Sequence, residues 1–268
     1  MRDVVIGNKK AQLPSDWSEL TTSQLELLAR ISSKPLPVET AKLYIVLNLL
    51  GLRITRKVED DTFRFVWRHR RGVITTEQMA QLTAVFDHFY ADVEGKKGVQ
   101  VLRPTFTSDP YPHLCVMVYP FRTPGDALER VTYNQFAYAH TFTVELSSDP
   151  SVLPKLLACL WHRSRKWDAE RVDEDARLLS RLSQERQMVM FWYWLGCLSA
   201  IRLLFPRIFS GSGKGGNPFE EQQRVIDALA DGDMTKKDKV RSGLLYDALF
   251  SMDEAIRKAD DLRKSLKK

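Results

Sequence analysis

Cysteine is scarce in this sequence: Cys115, Cys159 and Cys197 are the only three in 268 residues. They are odd in number, far apart and set among apolar neighbours. That excludes a disulfide framework and points to buried thiols in a reducing compartment. The five histidines, His69, His88, His113, His140 and His162, form no His-x-x-x-His or His-Glu-x-x-His pair, and no cysteine stands at zinc-knuckle spacing from them. No serine occupies a Gly-x-Ser-x-Gly elbow. Gly211-Ser-Gly-Lys-Gly-Gly216 lacks phosphate-loop spacing, because Gly215 follows Lys214, and reads as a flexible linker. Cys159 and His162 fall on neighbouring helical faces, but a nucleophile needs an oriented base and an oxyanion site. Their plainer reading is a buried thiol beside an exposed imidazole. The acidic clusters Glu59-Asp60-Asp61 and Asp173-Glu174-Asp175 read as helix starts favoured by the helix dipole. We therefore expect no catalytic residue, no metal and no cofactor, and the chain reads as not an enzyme.

Charge of one sign is only mildly in excess. Lys plus Arg number 40 and Asp plus Glu 34, a net charge of +6. Apolar residues make up 44% and charged residues 28%, values of a folded globular protein rather than a disordered one. Long hydrophobic runs are nearly absent. The exception, Met188 to Ile201, is shorter than the roughly 20 residues of a membrane span and meets Arg202, so it reads as a buried core helix. The opening Met1-Arg2-Asp3-Val4-Val5-Ile6 lacks the apolar region of a signal peptide. These signals imply a cytoplasmic protein with no membrane segment.

What is present is mostly helical pattern. Val4 to Ile6, a Gly7-Asn8 turn and Lys9 to Leu13 predict a small N-terminal β-hairpin. Helices are expected around Leu25 to Ile31, over Val38 to Leu50 with Gly51 as its stop, over Val58 to Arg70, and over Thr76 to Tyr90. From Gly95 to Gly125 prolines interrupt the pattern, and an extended segment or β-ribbon is expected. Helices resume over Tyr133 to Leu146, Ser151 to Trp161, Asp173 to Arg186, Met188 to Phe205 and Phe219 to Leu229, with one last long helix from Lys237 to Leu266. The fold class is mainly α, a multi-helix bundle with a small N-terminal β-hairpin and a central Pro-rich extended segment. Five regions follow: 1–94 helical, 95–125 Pro-rich connection, 126–210 helical, 211–218 Gly-rich linker and 219–268 C-terminal helices.

A short pattern occurs three times: Leu20-Thr21-x-x-Gln24-Leu25, Ile74-Thr75-x-x-Gln78-Met79 and Val131-Thr132-x-x-Gln135-Phe136. Each reads as a capping box, in which the Thr hydroxyl accepts from the third helical N–H and the Gln side chain returns to the Thr N–H. Three independent caps, rather than a duplication, are the simpler account. Two basic–aromatic clusters stand apart from these. They are Trp67-Arg68-His69-Arg70-Arg71 and Trp161 to Trp167, which contains Arg163, Arg165 and Lys166. Arg and Trp together can track phosphates and stack on bases. Alternatively each Trp anchors a helix end while the charges face water. Trp67, Arg68, Arg70, Arg71, Arg163, Arg165, Lys166 and Trp167 are the candidate nucleic-acid or partner contacts.

The order of these signals resembles a family. Leu13-Pro-Ser-Asp-Trp-Ser-Glu-Leu-Thr-Thr-Ser-Gln24 and Leu49-Leu-Gly-Leu52 come first. Pro124-Gly-Asp-Ala-Leu128, Leu156-Leu-Ala-Cys-Leu-Trp-His-Arg163, Phe191-Trp-Tyr-Trp-Leu-Gly-Cys197 and Phe205-Pro-Arg-Ile-Phe209 follow. Over about Leu13 to Phe209 the chain resembles helical proteins encoded in phage and prophage tail modules of Bacteroidetes. The resemblance implies a non-enzymatic tail-assembly or virion structural protein. Its role would be that of a tail-assembly chaperone beside the tape-measure protein, with tape-measure or tail-tube protein as partner. It carries no functional residues over.

Overall fold

The computed structural model describes residues 1–6, 9–93, 95, 98–209, 218–230 and 232–266. The Gly7-Asn8 turn, the linker residues 211–217 and Lys267-Lys268 lie outside the described residues. Helix makes up 56% of the chain, in eleven α-helices among the described residues, with small antiparallel sheets that include an N-terminal hairpin. The chain divides into two compact units, Met1–Phe106 with Gln184–Val189, and Thr107–Ser183 with Met190–Lys268.

The first unit begins with the hairpin of β1 (Arg2–Ile6) and β2 (Lys9–Leu13). Helices α1 (Thr22–Ser32) and α2 (Val38–Leu50) follow, and Gly51 in the left-handed region ends α2 as expected. Trp17, Phe86, Phe89 and Phe106 form an aromatic core, with Trp17 edge-on to Phe89 at 5.1 Å and Phe86 stacked on Phe89 at 4.5 Å. The helix expected over Val58 to Arg70 is absent. An antiparallel sheet of β3 (Leu52–Glu59), β4 (Thr62–Trp67) and β5 (Arg70–Thr75) stands there instead. The alternation of β4 is the reason: Phe65 and Trp67 are buried while Arg64 and Val66 face the other side. Glu59-Asp60-Asp61 accordingly sits at the β3–β4 turn and starts no helix. Gly72 lies opposite Phe65, and a Cβ there would meet the Phe65 ring at 2.5 Å. Helix α3 (Thr76–Ala84) ends earlier than its pattern suggests, giving way to a 3-10 turn at Asp87–Phe89 and to β6 (Tyr90–Asp92), which pairs with β7 (Gln100–Leu102).

Lys42, on α2, is buried to 2% exposure, and its ammonium donates to Glu39 at 2.9 Å, Asp87 at 2.7 Å and Gln100 at 3.0 Å. Burial alone would lower its pKa. The carboxylates of Asp87 and Glu39 outweigh that and raise it above the usual lysine range. One side chain thus ties α2 to the 3-10 turn and to β7.

In the second unit β8 (Cys115–Val116) and β9 (Tyr119–Pro120) make a tight hairpin, followed by α4 (Tyr133–Glu145), α5 (Leu153–Leu160) and α6 (Val172–Leu179). Helix α7 (Gln184–Leu204) is long and apolar enough to cross a membrane by length and composition, and half of its most apolar stretch is buried. Trp192, Tyr193, Trp194, Cys197, Leu198 and Ile201 lie in the core. The Tyr193 hydroxyl donates to the carbonyl of Gly125 and accepts from the N–H of Leu128 at 3.1 Å. It therefore secures a loop in which Gly125, Ala127 and Leu128 all have positive φ. Short α8 (Pro206–Phe209) and α9 (Pro218–Leu229) come next. The last long helix is in fact two, α10 (Met234–Ser242) and α11 (Leu245–Ser265). The break at Gly243-Leu244 is extended because its backbone bridges to α4's start: Tyr133 N–H donates to Gly243 O at 3.0 Å and Leu245 N–H to Val131 O at 2.9 Å. Cys159 and Cys197 are buried thiols, but Cys115, in the short β8 hairpin, is exposed.

All three Thr-x-x-Gln patterns form complete capping boxes, on α1, α3 and α4. Only the third is buried. Gln135 accepts from Thr132 N–H at 3.0 Å and also donates to the carbonyl of Cys159 at 2.8 Å, satisfying a carbonyl in the last turn of α5. Gln135→Ala should therefore lower stability by about 2 kcal/mol, since it strands a buried carbonyl. Gln24→Ala and Gln78→Ala should cost about 0.5–1 kcal/mol, the value of a cap. Equal losses in urea denaturation of the three variants would contradict this reading. For Lys42, Asp87→Ala, which leaves the ammonium short of its nearest carboxylate, should destabilise more than Lys42→Met, which removes charge and keeps the buried stem. Unfolding midpoints of the two variants check that order.

Candidate functional site

The first basic cluster sits on the β4–β5 hairpin. Trp67 is a core residue, 7% exposed, and its indole N–H donates to Leu50 O at 2.8 Å, closing the C-terminus of α2. Arg68 and His69 form the turn, with φ of 44° and 67°, and the Arg68 guanidinium lies 5.8 Å from the Trp67 ring centroid. Arg70 and Arg71 are exposed. Strand register adds what the linear sequence conceals. Arg53 and Arg71 flank Val66 in one row, and Arg56 pairs with Arg64 in the next. Four arginines therefore share one outer face of the sheet, and among the described residues none has a carboxylate within ion-pair distance. Like charges directly opposite cost stability, so this face gains from any anion laid on it.

The second cluster separates into two roles. Arg163 is held inside the unit. Its Nε and backbone N–H both donate to the buried Asp175, Nη2 reaches Glu174 at 3.2 Å, and its guanidinium lies 5.5 Å from the Tyr119 ring. This pairing raises the Arg163 pKa above its usual value. Asp173-Glu174-Asp175 does open α6, as its position in the sequence suggests, but Asp175 has this further use. Trp161 is fully buried and meets Tyr193 edge-on at 5.6 Å.

Arg165, Lys166 and Trp167 instead line a cleft of about 770 Å³, together with Arg122, Arg130 and Arg241. Two isolated backbone bridges build its walls. Arg122 pairs with His162, through N–H to O contacts of 2.7 Å and 3.2 Å, and Thr132 pairs with Leu244. His162 is half-buried rather than exposed, and burial lowers its pKa, with partial opposition from the Ser164 backbone and Asp175. That burial favours the neutral ring in the cleft wall. Trp167 packs edge-on against Tyr138 at 5.2 Å, and its buried Nε1–H has no acceptor among the described residues. Sequence reasoning missed Arg122, Arg130 and Arg241, because each reaches the cleft from a different segment.

No known protein family, curated protein or solved structure matches the chain.

The two roles make a direct prediction. Arg163→Gln should cost about 3 kcal/mol, because it leaves the buried Asp175 without its cation. The double change Arg165→Gln and Lys166→Gln should shift stability by no more than about 0.5 kcal/mol, as exposed charges do. Thermal unfolding followed by circular dichroism separates the two. A stable Arg163→Gln protein would remove the structural role assigned to that side chain.

Proposed function

We propose that this chain is a non-enzymatic phage or prophage tail protein, acting in assembly or as a structural part through protein–protein contacts. On this reading its partner is the tape-measure or tail-tube protein, and it works in the cytoplasm of the producing bacterial cell or in the virion. The resemblance over Leu13 to Phe209 is its first support, and the expected multi-helix bundle belongs to the same reading. Covering an apolar, helical tape-measure chain during tail growth is the task such a protein would perform.

The structural observation that carries it is the tip of the β8–β9 hairpin. Its two turn residues are Met117 and Val118, 65% and 79% exposed, with Met117 at a φ of 58°. A turn position of this kind is ordinarily given to Gly, Asn or Asp, which adopt positive φ at little cost. Here two apolar side chains stand in water instead, as in a contact surface. The tip is braced. Arg181 Nη1 lies 2.7 Å from the Met117 sulfur, and Tyr119 lies beneath Arg163. A thioether on a fixed hairpin suits an apolar stripe of irregular shape.

The test is co-purification from phage-producing cells with mass spectrometry. Tagged wild-type protein should recover tape-measure or tail-tube protein. The double change Met117→Asn and Val118→Asp, which relieves the turn while removing its apolar surface, should lower that recovery at least tenfold with the fold intact. Recovery of no tail protein by the wild type would sink the proposal.

A further inference from the structure

The cations around the second-unit cleft are not equally engaged. Arg130 has Glu129 at 3.4 Å and Arg241 has Asp238 at 3.2 Å. Arg122, Arg165 and Lys166 have no carboxylate within ion-pair distance among the described residues. The Arg122–His162 bridge fixes the backbone that carries Arg122 against the segment that leads to Arg165 and Lys166. Three like charges gathered at one concavity favour an anion there, and guanidinium groups match phosphate oxygens in two-bond geometry.

The rest of the lining narrows the anion. Asp238, the carboxylate residue of the lining, is paired with Arg241; Trp167 adds an aromatic residue and Asn134, in the first turn of α4, an amide residue. An inorganic anion needs neither. A nucleobase uses both, the ring for stacking and the amide for its polar edge. The volume, about 770 Å³, falls within the roughly 300–1,000 Å³ of small-ligand sites. It admits a nucleotide, whereas duplex recognition relies on an extended surface. We propose that this cleft binds a nucleotide unit, with its phosphate held by Arg122, Arg165 and Lys166 and its base set against Trp167 and Asn134. The unit is either a free nucleotide or one residue of a single strand. The inference does not rest on the tail-assembly reading, and either can fail without the other.

The experiment uses the full chain and three probes: a fluorescein-labelled dT 12-mer followed by polarisation, ATP and inorganic phosphate. Binding of the 12-mer at 50 mM salt, or of ATP by calorimetry, is the expected result. Competition between the two identifies a free nucleotide as an acceptable source, and 12-mer binding without it identifies the strand. With one phosphate neutralised, 12-mer affinity should fall about 3-fold between 50 and 200 mM salt. The triple change Arg122→Gln, Arg165→Gln and Lys166→Gln should weaken binding at least tenfold with an unchanged unfolding midpoint. The sheet face supplies the internal control: Arg53→Gln, Arg56→Gln, Arg64→Gln and Arg71→Gln together should cost less than the cleft variant. The proposal is overturned if neither 12-mer nor ATP binds, if the cleft variant binds like wild type, if the sheet variant loses more, or if inorganic phosphate competes as well as ATP.

Discussion

The second unit depends on how the ends of its helices find hydrogen-bond partners, and Gln135 is the centre of that arrangement. A helix leaves N–H groups unpaired at its start and carbonyls unpaired at its end. Gln135 answers both with one amide. Its oxygen takes the Thr132 N–H at the start of α4, and its nitrogen serves Cys159 O in the last turn of α5. The same start of α4 also pairs with the α10–α11 break, through Tyr133 N–H to Gly243 O and Leu245 N–H to Val131 O. Four helix ends are thereby joined around a few residues. The cleft follows from this, because helix ends that meet through backbone bridges rather than packed side chains leave a concavity between them. In the first unit a long-range partner serves a helix end where the Trp67 indole closes α2.

This division of labour explains why the two Trp/Arg clusters have such different fates. In each, the tryptophan nearest the chain's core is structural: Trp67 and Trp161 are both buried. Arg163 follows Trp161 inward, since Asp175 is buried at the start of α6 and needs a cation. The arginines left over have no carboxylate within ion-pair distance among the described residues. A cluster that looks uniform in sequence is therefore part scaffold and part free charge. The free part is concentrated on the β3–β4–β5 face and around the cleft.

What was legible in the sequence was local. The capping boxes need only four consecutive residues, and all three formed. Gly51 stopped α2 because a left-handed residue is required within one turn of the helix end. The failures share a non-local cause. Val58 to Arg70 carries enough apolar and charged residues to pass for a helix, and only pairing with Leu52–Glu59 and Arg70–Thr75 makes its alternation decisive. Gly243 inside a helical pattern is a weak stop by itself, and its extended backbone is set by Val131 and Tyr133, more than a hundred residues earlier. His162 reads as a surface residue until its backbone is paired with Arg122.

Core and cap positions announce themselves, because their chemistry is completed by near neighbours. A site assembled from Arg122, Asn134, Arg165, Lys166 and Trp167 does not, because each residue is ordinary where it stands. Only the helix-end bridges gather the set. Those bridges also constrain change. Substituting Gly243 would alter the cleft without touching its lining, since the walls are backbone segments held by each other. Arg165 and Lys166 can change with little effect on the fold, because no buried group waits for their charge. Among the lining residues, Arg165 and Lys166 are thus the most able to vary, and Gln135, which both lines the cleft and joins the helix ends that shape it, is the least.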